Sequence, residues 1–224
     1  MKTLREGLEV LERRLRYRLM AGGDHLPADL TARLLDLLEP VEGPLEEVAR
    51  ELGGCTRCPL HRSRHNIVVG EGNPRARLVF VGEGPGEEED LQGRPFVGPA
   101  GQLLDRIIKA MGFTREEVFI GNVVKCRPPG NRTPSPEEVA ACVPFLFRQL
   151  RAISPKVICA LGGVSAQAIL GSRDRISALR GRFHRWGEIA VMPTYHPSYL
   201  LRNPERKRDV WEDMQRVVEF LKRG

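Results

Sequence analysis

The 224 residues contain no run of about 18 apolar side chains, which excludes a helical membrane span. The N-terminus, MKTLREGLEVLERR, is charged throughout and lacks the short apolar stretch of a secretory signal, so a cytoplasmic address is expected. Neutral amides are scarce, with five Asn and five Gln, and Lys supplies only six of the 35 cations. That bias toward Arg fits a GC-rich or thermophilic coding preference as well as it fits guanidinium forks that bind phosphate. Acidic residues are the minority, 29 against 35, and the net charge of +6 favours a polyanionic partner. Internal repeats and low-complexity tracts are absent. What remains, 41% hydrophobic and 29% charged, is the composition of a chain that folds around a core.

Leu4, Leu8, Leu11, Leu15 and Leu19 form a helical stripe that ends at Gly22-Gly23. A second stripe, Leu30, Leu34, Leu37, Leu38 and Val41, stops near Gly43-Pro44. Residues 1–45 therefore read as a helical N-terminal extension, a packing or oligomerisation arm, ahead of a main domain over 46–224. From residue 77 onward strand and helix signals alternate. Apolar runs at 78–81, 157–161 and 189–193, and one at 118–124 that leads through Gly121-Asn122, read as four strands, with helices at about 104–111, 136–153, 164–170 and 205–222. The pattern predicts an α/β fold, three layers αβα around a mostly parallel four-stranded sheet. Chemistry in such sheets sits at the carboxyl ends of the strands, which points to 82–98, 121–132 and 194–203.

Five cysteines in a reducing compartment argue against a disulfide framework. Cys55-Thr-Arg-Cys58 is a CxxC pair before the sheet begins. Cys126 follows the second strand, and Cys142 lies sixteen residues on, inside a helix opened by Ser135-Pro-Glu-Glu138 with Ser as N-cap, Pro at N1 and Glu at N3. Four thiolates suit zinc or an iron–sulfur cluster equally, and their spacing does not separate the two. Pro144 removes a helical hydrogen bond to Ala140, and a kink there would aim the Cys142 thiolate inward. Cys159, in mid-strand, reads as core.

Gly82-Glu-Gly-Pro-Gly-Glu-Glu-Glu-Asp90 leaves a strand as a phosphate loop would. The GxxxxGK[ST] pattern is missing, though, and four acids follow that repel phosphate. The glycines instead let backbone approach a flat ligand, and the acids can order water or offset a developing cation. Phe96, in the stiff loop Gly93-Arg-Pro-Phe-Val-Gly98, can be core or can stack on a base. Asn122 interrupts an apolar stretch. A buried amide must find partners, in its own turn or in a ligand that offers a carbonyl beside an NH. His196 and Ser198 sit on a Pro-stiffened loop after the fourth strand, with Arg202 close behind.

GEGPGEEED (82–90), GRPFVGPAG (93–101), GNVVKCRPPGNR (121–132), HPSYLLR (196–202) and the four cysteines together resemble the uracil-DNA glycosylase superfamily. The match is closest to its type 4 branch, iron–sulfur enzymes of thermophilic bacteria and archaea. The likeness spans about 50–224; those enzymes usually begin shortly before the CxxC, so it does not extend to the arm. It implies base-excision repair of DNA, the hydrolysis of the deoxyuridine N-glycosidic bond after base flipping. It also implies a 4Fe–4S cluster on Cys55, Cys58, Cys126 and Cys142. By the same likeness Phe96 stacks on uracil, Asn122 pairs with O4 and N3–H, and the Gly84 backbone touches the base edge. His196 stabilises charge on O2, and Glu83 or Glu89 positions water or offsets the sugar cation. Ser198 and Arg202 hold phosphates, and Leu200 or Leu201 fills the vacated stack. Residues 128–134 hold no His of the kind that bonds covalently to DNA in a variant branch, so a monofunctional enzyme with ordinary turnover is expected. Its partner is uracil-containing DNA, single- or double-stranded, and a monomer is expected.

Three other readings compete. A non-catalytic iron–sulfur DNA-binding accessory module leaves the acidic loop and the Asn122/His196 pair without a task. A glycosylase for other deaminated bases, as in the type 5 branch, is disfavoured by Glu83, where that branch typically has an apolar residue. A small-molecule redox protein leaves the His-Pro-Ser loop unexplained.

Overall fold

In a computed structural model, residues 45–223 are described. The arm expected over 1–45 lies outside them, except for its last residue. Six strands form one sheet in the order β1-β3-β2-β4-β6-β5. The four inner strands, β3 (Phe119–Asn122), β2 (Leu78–Gly82), β4 (Val157–Leu161) and β6 (Ile189–Thr194), are mutually parallel, as the apolar runs predicted. Two more strands than the expected four are present. β1 (Glu71–Gly72) and β5 (His184–Trp186) pair antiparallel at the two edges. They are two and three residues long and partly exposed, so they carry no apolar run to be read.

Strand periodicity sorts the core into two layers. Leu78, Phe80, Val157, Cys159 and Met192 face one way, against α3 (Pro99–Ala110) and α8 (Lys207–Arg223). Val79, Val81, Ile158, Ala160 and Val191 face the other way, against α1 (Leu45–Leu52), α4 (Pro136–Ile153) and α5 (Gly163–Leu170). The three-layer arrangement follows directly from this alternation, and Cys159 is a core residue of the first layer.

Ser135 caps α4 as its sequence indicates: its Oγ accepts from Glu138 N at 3.3 Å, while Glu138 Oε2 accepts from Ser135 N at 2.7 Å. The helix continues past Pro144 to Ile153. Among the described residues there are also three short α-helices, α2 (Glu87–Gln92), α6 (Ile176–Leu179) and α7 (Pro197–Arg202), and four single 3-10 turns. Among the described residues no helix is long and apolar enough to cross a membrane.

Candidate active site

The parallel strands β2, β3, β4 and β6 end at Gly82, Asn122, Leu161 and Thr194 on one rim of the sheet, and the loops leaving that rim carry the polar groups. Gly82 lies beside Asn122 in the β2–β3 register. A Cβ on Gly82 would stand 2.4 Å from Asn122 Oδ1 and 2.6 Å from Phe96 Cζ, so the absent side chain lets amide and ring meet. Asn122 is 1% exposed and its Oδ1 has no hydrogen-bond partner. It does not serve its own turn. An orphan acceptor of this kind costs about 1–3 kcal/mol in the free protein, a penalty that a ligand N–H removes.

Phe96 adopts φ +52°, a left-handed conformation that an aromatic residue takes only under constraint. Several groups impose it. Arg115 donates to Phe96 O at 3.2 Å and also to Pro95 O, while Glu71 and Asp105 fix its guanidinium at 2.9 and 2.7 Å. Gly101 leaves room for the Phe96 carbonyl, which a Cβ there would approach to 2.0 Å. Glu89 Oε1 accepts from Val97 N at 2.8 Å and Gly98 N at 2.9 Å, and its Oε2 accepts from Gly86 N at 3.0 Å. Both Glu89 oxygens are thus committed to backbone, leaving this carboxylate to hold the loop together.

Glu83 is placed differently. It is partly buried, and that burial raises its carboxyl above the usual 4.5, opposed by a hydrogen bond to Thr133. Gly84 lies against Val124, whose Cγ2 would stand 2.7 Å from an added Cβ.

His196 is the N-cap of α7. Its Nδ1 accepts from Ser198 N at 3.1 Å and lies 2.8 Å from Ser198 Oγ. A backbone N–H only donates, so Nδ1 is unprotonated and the neutral ring carries its proton on Nε2. Burial pushes the ring down to about 4, with Arg202 adding to that and Glu89 opposing it. Its centroid lies 5.6 Å from that of Phe96. Behind it, buried Asp213 accepts from Thr194 Oγ1 at 2.6 Å and from Arg180, whose guanidinium stacks 5.2 Å over Tyr195.

The two leucines considered for the base stack part company. Leu200 is 1% exposed, in the same core layer as Phe96, whereas Leu201 is 45% exposed. Arg202 is also exposed, whereas Ser198 directs its N–H and its hydroxyl at His196.

A second site lies on the α4 side of the sheet. Cys55, Cys58, Cys126 and Cys142 line a single cavity together with Arg64 and Lys125. Among the described residues no three His, Cys, Asp or Glu side chains form a group that could hold a single metal ion. Donors face the sulfurs: Arg64 Nη1 lies 3.3 Å from Cys126 Sγ and 2.8 Å from Cys55 O, and Lys125 N lies 3.3 Å from Cys142 Sγ. Burial pushes the Cys142 thiol up to about 12 and raises Cys58 and Cys126 as well. Thiolates there need a bound cation or cluster to form.

Arg115, Gly82, Gly101 and Lys125 were not singled out from sequence. The glycines sit inside the motifs above, but nothing local marks Arg115, whose partners lie ten or more residues away, or Lys125, whose second acceptor is Gln149 on a later helix.

A model of the uracil DNA glycosylase superfamily matches residues 69–215. The type-4 uracil-DNA glycosylase of Thermotoga maritima is 52% identical over 183 residues, 80% of this chain and 95% of that protein. The type-4 enzyme of Archaeoglobus fulgidus is 44% identical over 79% of this chain and 92% of its own length. A type-5 uracil-DNA glycosylase of Pyrobaculum aerophilum is 32% identical over 81% of this chain and 92% of its own.

Proposed function

The chain belongs to the uracil DNA glycosylase superfamily, and from that premise we propose that it excises uracil from DNA as the first step of base-excision repair. The observation that carries this is the unpartnered Asn122 Oδ1, buried beside the Phe96 ring under a glycine. A flat ligand with an N–H next to a carbonyl completes that amide. Uracil offers N3–H and O4 in this order; cytosine offers the reverse and leaves buried groups unpaired, at roughly 1–3 kcal/mol each. A base reaches such a pocket only after leaving the helix stack.

Hydrolysis breaks the C1′–N1 bond, adds water oxygen to C1′ and releases uracil, with negative charge gathering on O2 and positive charge on the sugar. The neutral His196 ring donates its Nε2 proton toward O2, an oxyanion-type contact whose geometry Ser198 fixes in advance. Glu83 orients the water and offsets the sugar cation, because the Glu89 carboxylate is occupied by three backbone N–H groups. Glu89 keeps the Phe96 platform in place. Arg202 and Leu201 face the DNA, as a phosphate contact and as the apolar filler of the vacated stack.

Cys55, Cys58, Cys126 and Cys142 hold a 4Fe–4S cluster in this reading, with Arg64 and the Lys125 N–H stabilising their sulfurs. Four cysteines lining one cavity suit a cubane, and the likeness to type-4 enzymes favours that group over zinc. When bound, the cluster ties the 55–64 segment to the end of β3 and to α4, a contribution to folding. Protein purified without oxygen should be brown with about four irons per chain; a colourless protein with one zinc would end this assignment. The function is tested with duplexes and single strands that contain uracil, hypoxanthine or xanthine, followed by alkaline cleavage at abasic sites. Cleavage confined to uracil is expected. Intact uracil strands would refute the proposal, and preference for hypoxanthine or xanthine would move the chain toward the wider-specificity reading.

A further inference from the structure

Lys125 is fully buried, 0% exposed, on the segment joining β3 to the cysteine cavity. Its ammonium donates to the backbone carbonyl of Asn122 at 2.8 Å and to Gln149 Oε1 at 2.6 Å. Gln149, buried on α4, turns its own Nε2 to Val69 O at 2.9 Å. Both acceptors of the ammonium are neutral, so no carboxylate compensates its desolvation there, which is a costly way to fill a core position.

The sheet edge explains what this placement achieves. β1 pairs with β3 only at Glu71↔Ile120 and Gly72↔Phe119. Continuing that register would set Val69 opposite Asn122, but the ladder ends before that pair, and the next backbone bond between the two segments is Val68 N to Lys125 O at 2.8 Å. The relay Asn122 O, Lys125 Nζ, Gln149 amide, Val69 O spans the gap instead. Two carbonyl-type acceptors converge from β3 and α4, and only a donor between them satisfies both. Meanwhile the Lys125 main chain is held on both sides, its N–H on Cys142 Sγ at 3.3 Å and its carbonyl accepting from Val68 N at 2.8 Å.

We propose that Lys125, supported by Gln149, is a positioning residue for uracil recognition: it clamps the Asn122 peptide where strand pairing fails, and so sets the angle at which the Asn122 amide meets the base. The proposal rests on the reading of Asn122 given above. Lys125 touches neither base nor sugar in this scheme.

The test uses the full chain, purified without oxygen, as wild type, Lys125→Met, Gln149→Leu and the double variant. Steady-state excision from uracil-containing duplex is measured beside the affinity for free uracil, followed by ligand-observed NMR, and beside iron content and melting temperature. Lys125→Met should lower kcat about ten- to a hundredfold with KM within about twofold. Free-uracil affinity should fall in parallel, and iron content should stay unchanged. The double variant should be no worse than Lys125→Met alone, because both substitutions cut one relay. Should Lys125→Met not fold, Gln149→Leu decides, with about a tenfold loss in kcat at unchanged KM. Iron lost in step with activity would place the effect in the cysteine cavity and overturn the proposal. So would a raised KM with kcat intact, or near-normal excision by both single variants. Wild type that leaves uracil-DNA intact would instead refute the pocket reading itself.

Discussion

Gly82→Ala tests the pocket with a single methyl group. The added Cβ would lie 2.4 Å from Asn122 Oδ1, 2.6 Å from Phe96 Cζ and 2.8 Å from Phe96 Cε2, where ordinary contact begins at 3.4 Å. Relief therefore requires a displacement of roughly 1 Å shared between amide and ring. Neither can yield without loss. Asn122 is buried and carries the Lys125 clamp on its carbonyl, and the Phe96 loop is fixed by Arg115, Glu89 and the close fit at Gly101. No backbone strain enters, since Gly82 is a regular β-strand residue without positive φ. Overpacking of this kind costs about 1–3 kcal/mol, a loss that a domain with roughly 5–15 kcal/mol of stability survives. A base displaced by about 1 Å from its reactive geometry loses on the order of a hundredfold in rate. Single-turnover excision of uracil should therefore fall about a hundredfold while the melting temperature drops by several degrees. Gly163→Ala is the control, because its Cβ would meet nothing within 4 Å, and its rate should match wild type. Near-normal excision by Gly82→Ala with unchanged melting would refute the reasoning, since the methyl could then occupy the place assigned to the base-reading groups without consequence.

Other substitutions divide the roles further. Asn122→Ala should lose uracil excision at least about tenfold and Asn122→Asp should lose most of it while gaining a trace on cytosine, because a protonated carboxyl donates to N3 and accepts from N4; affinity for undamaged DNA should barely move, and normal excision by Asn122→Ala would make it a turn residue after all. Glu83→Gln should lower kcat by about a hundredfold or more and remove the acid limb of the pH profile, which lies above 4.5 because burial raises the Glu83 carboxyl; Glu89→Gln should cost mainly melting temperature, and the reverse pattern would exchange the two roles. His196 should titrate near 4 by NMR rather than 6.5. The unfolded ring takes its proton below 6.5 and the folded ring only near 4, so stability is full above 6.5 and declines as pH falls through that window, by up to about 3 kcal/mol. A ring titrating near 6.5 would remove the argument for a buried neutral donor.

The inner strands were legible because each carries an apolar run, broken only in β3 by Gly121-Asn122, and strand alternation is enough to put Phe80 and Val81 on opposite layers. β1 and β5 were not, since they exist by pairing to a neighbour rather than by burial of their own side chains. α2 escaped for a related reason: Glu-Glu-Glu-Asp-Leu-Gln has no apolar face, and it becomes helical through the Glu89 bond to Gly86 N and a left-handed Gly93 at its end. In the site, residue types at strand ends were enough to single out Asn122 and His196. The choice between Glu83 and Glu89 was not readable, because it depends on amides eight and nine residues downstream that the loop folds back onto Glu89. Leu200 and Leu201 are adjacent and chemically identical, and only the phase of a six-residue helix separates them.

The left-handed Phe96 sets two contributions of one residue against each other. A glycine there would relax the backbone by about 1–2 kcal/mol. The same change would empty the space of a side chain that is only 5% exposed in the core, at about 3–5 kcal/mol. The melting temperature should therefore fall, and the aromatic plane is lost with it. Selection for heat resistance and selection on excision thus both hold phenylalanine at position 96, each against the dihedral angle it occupies.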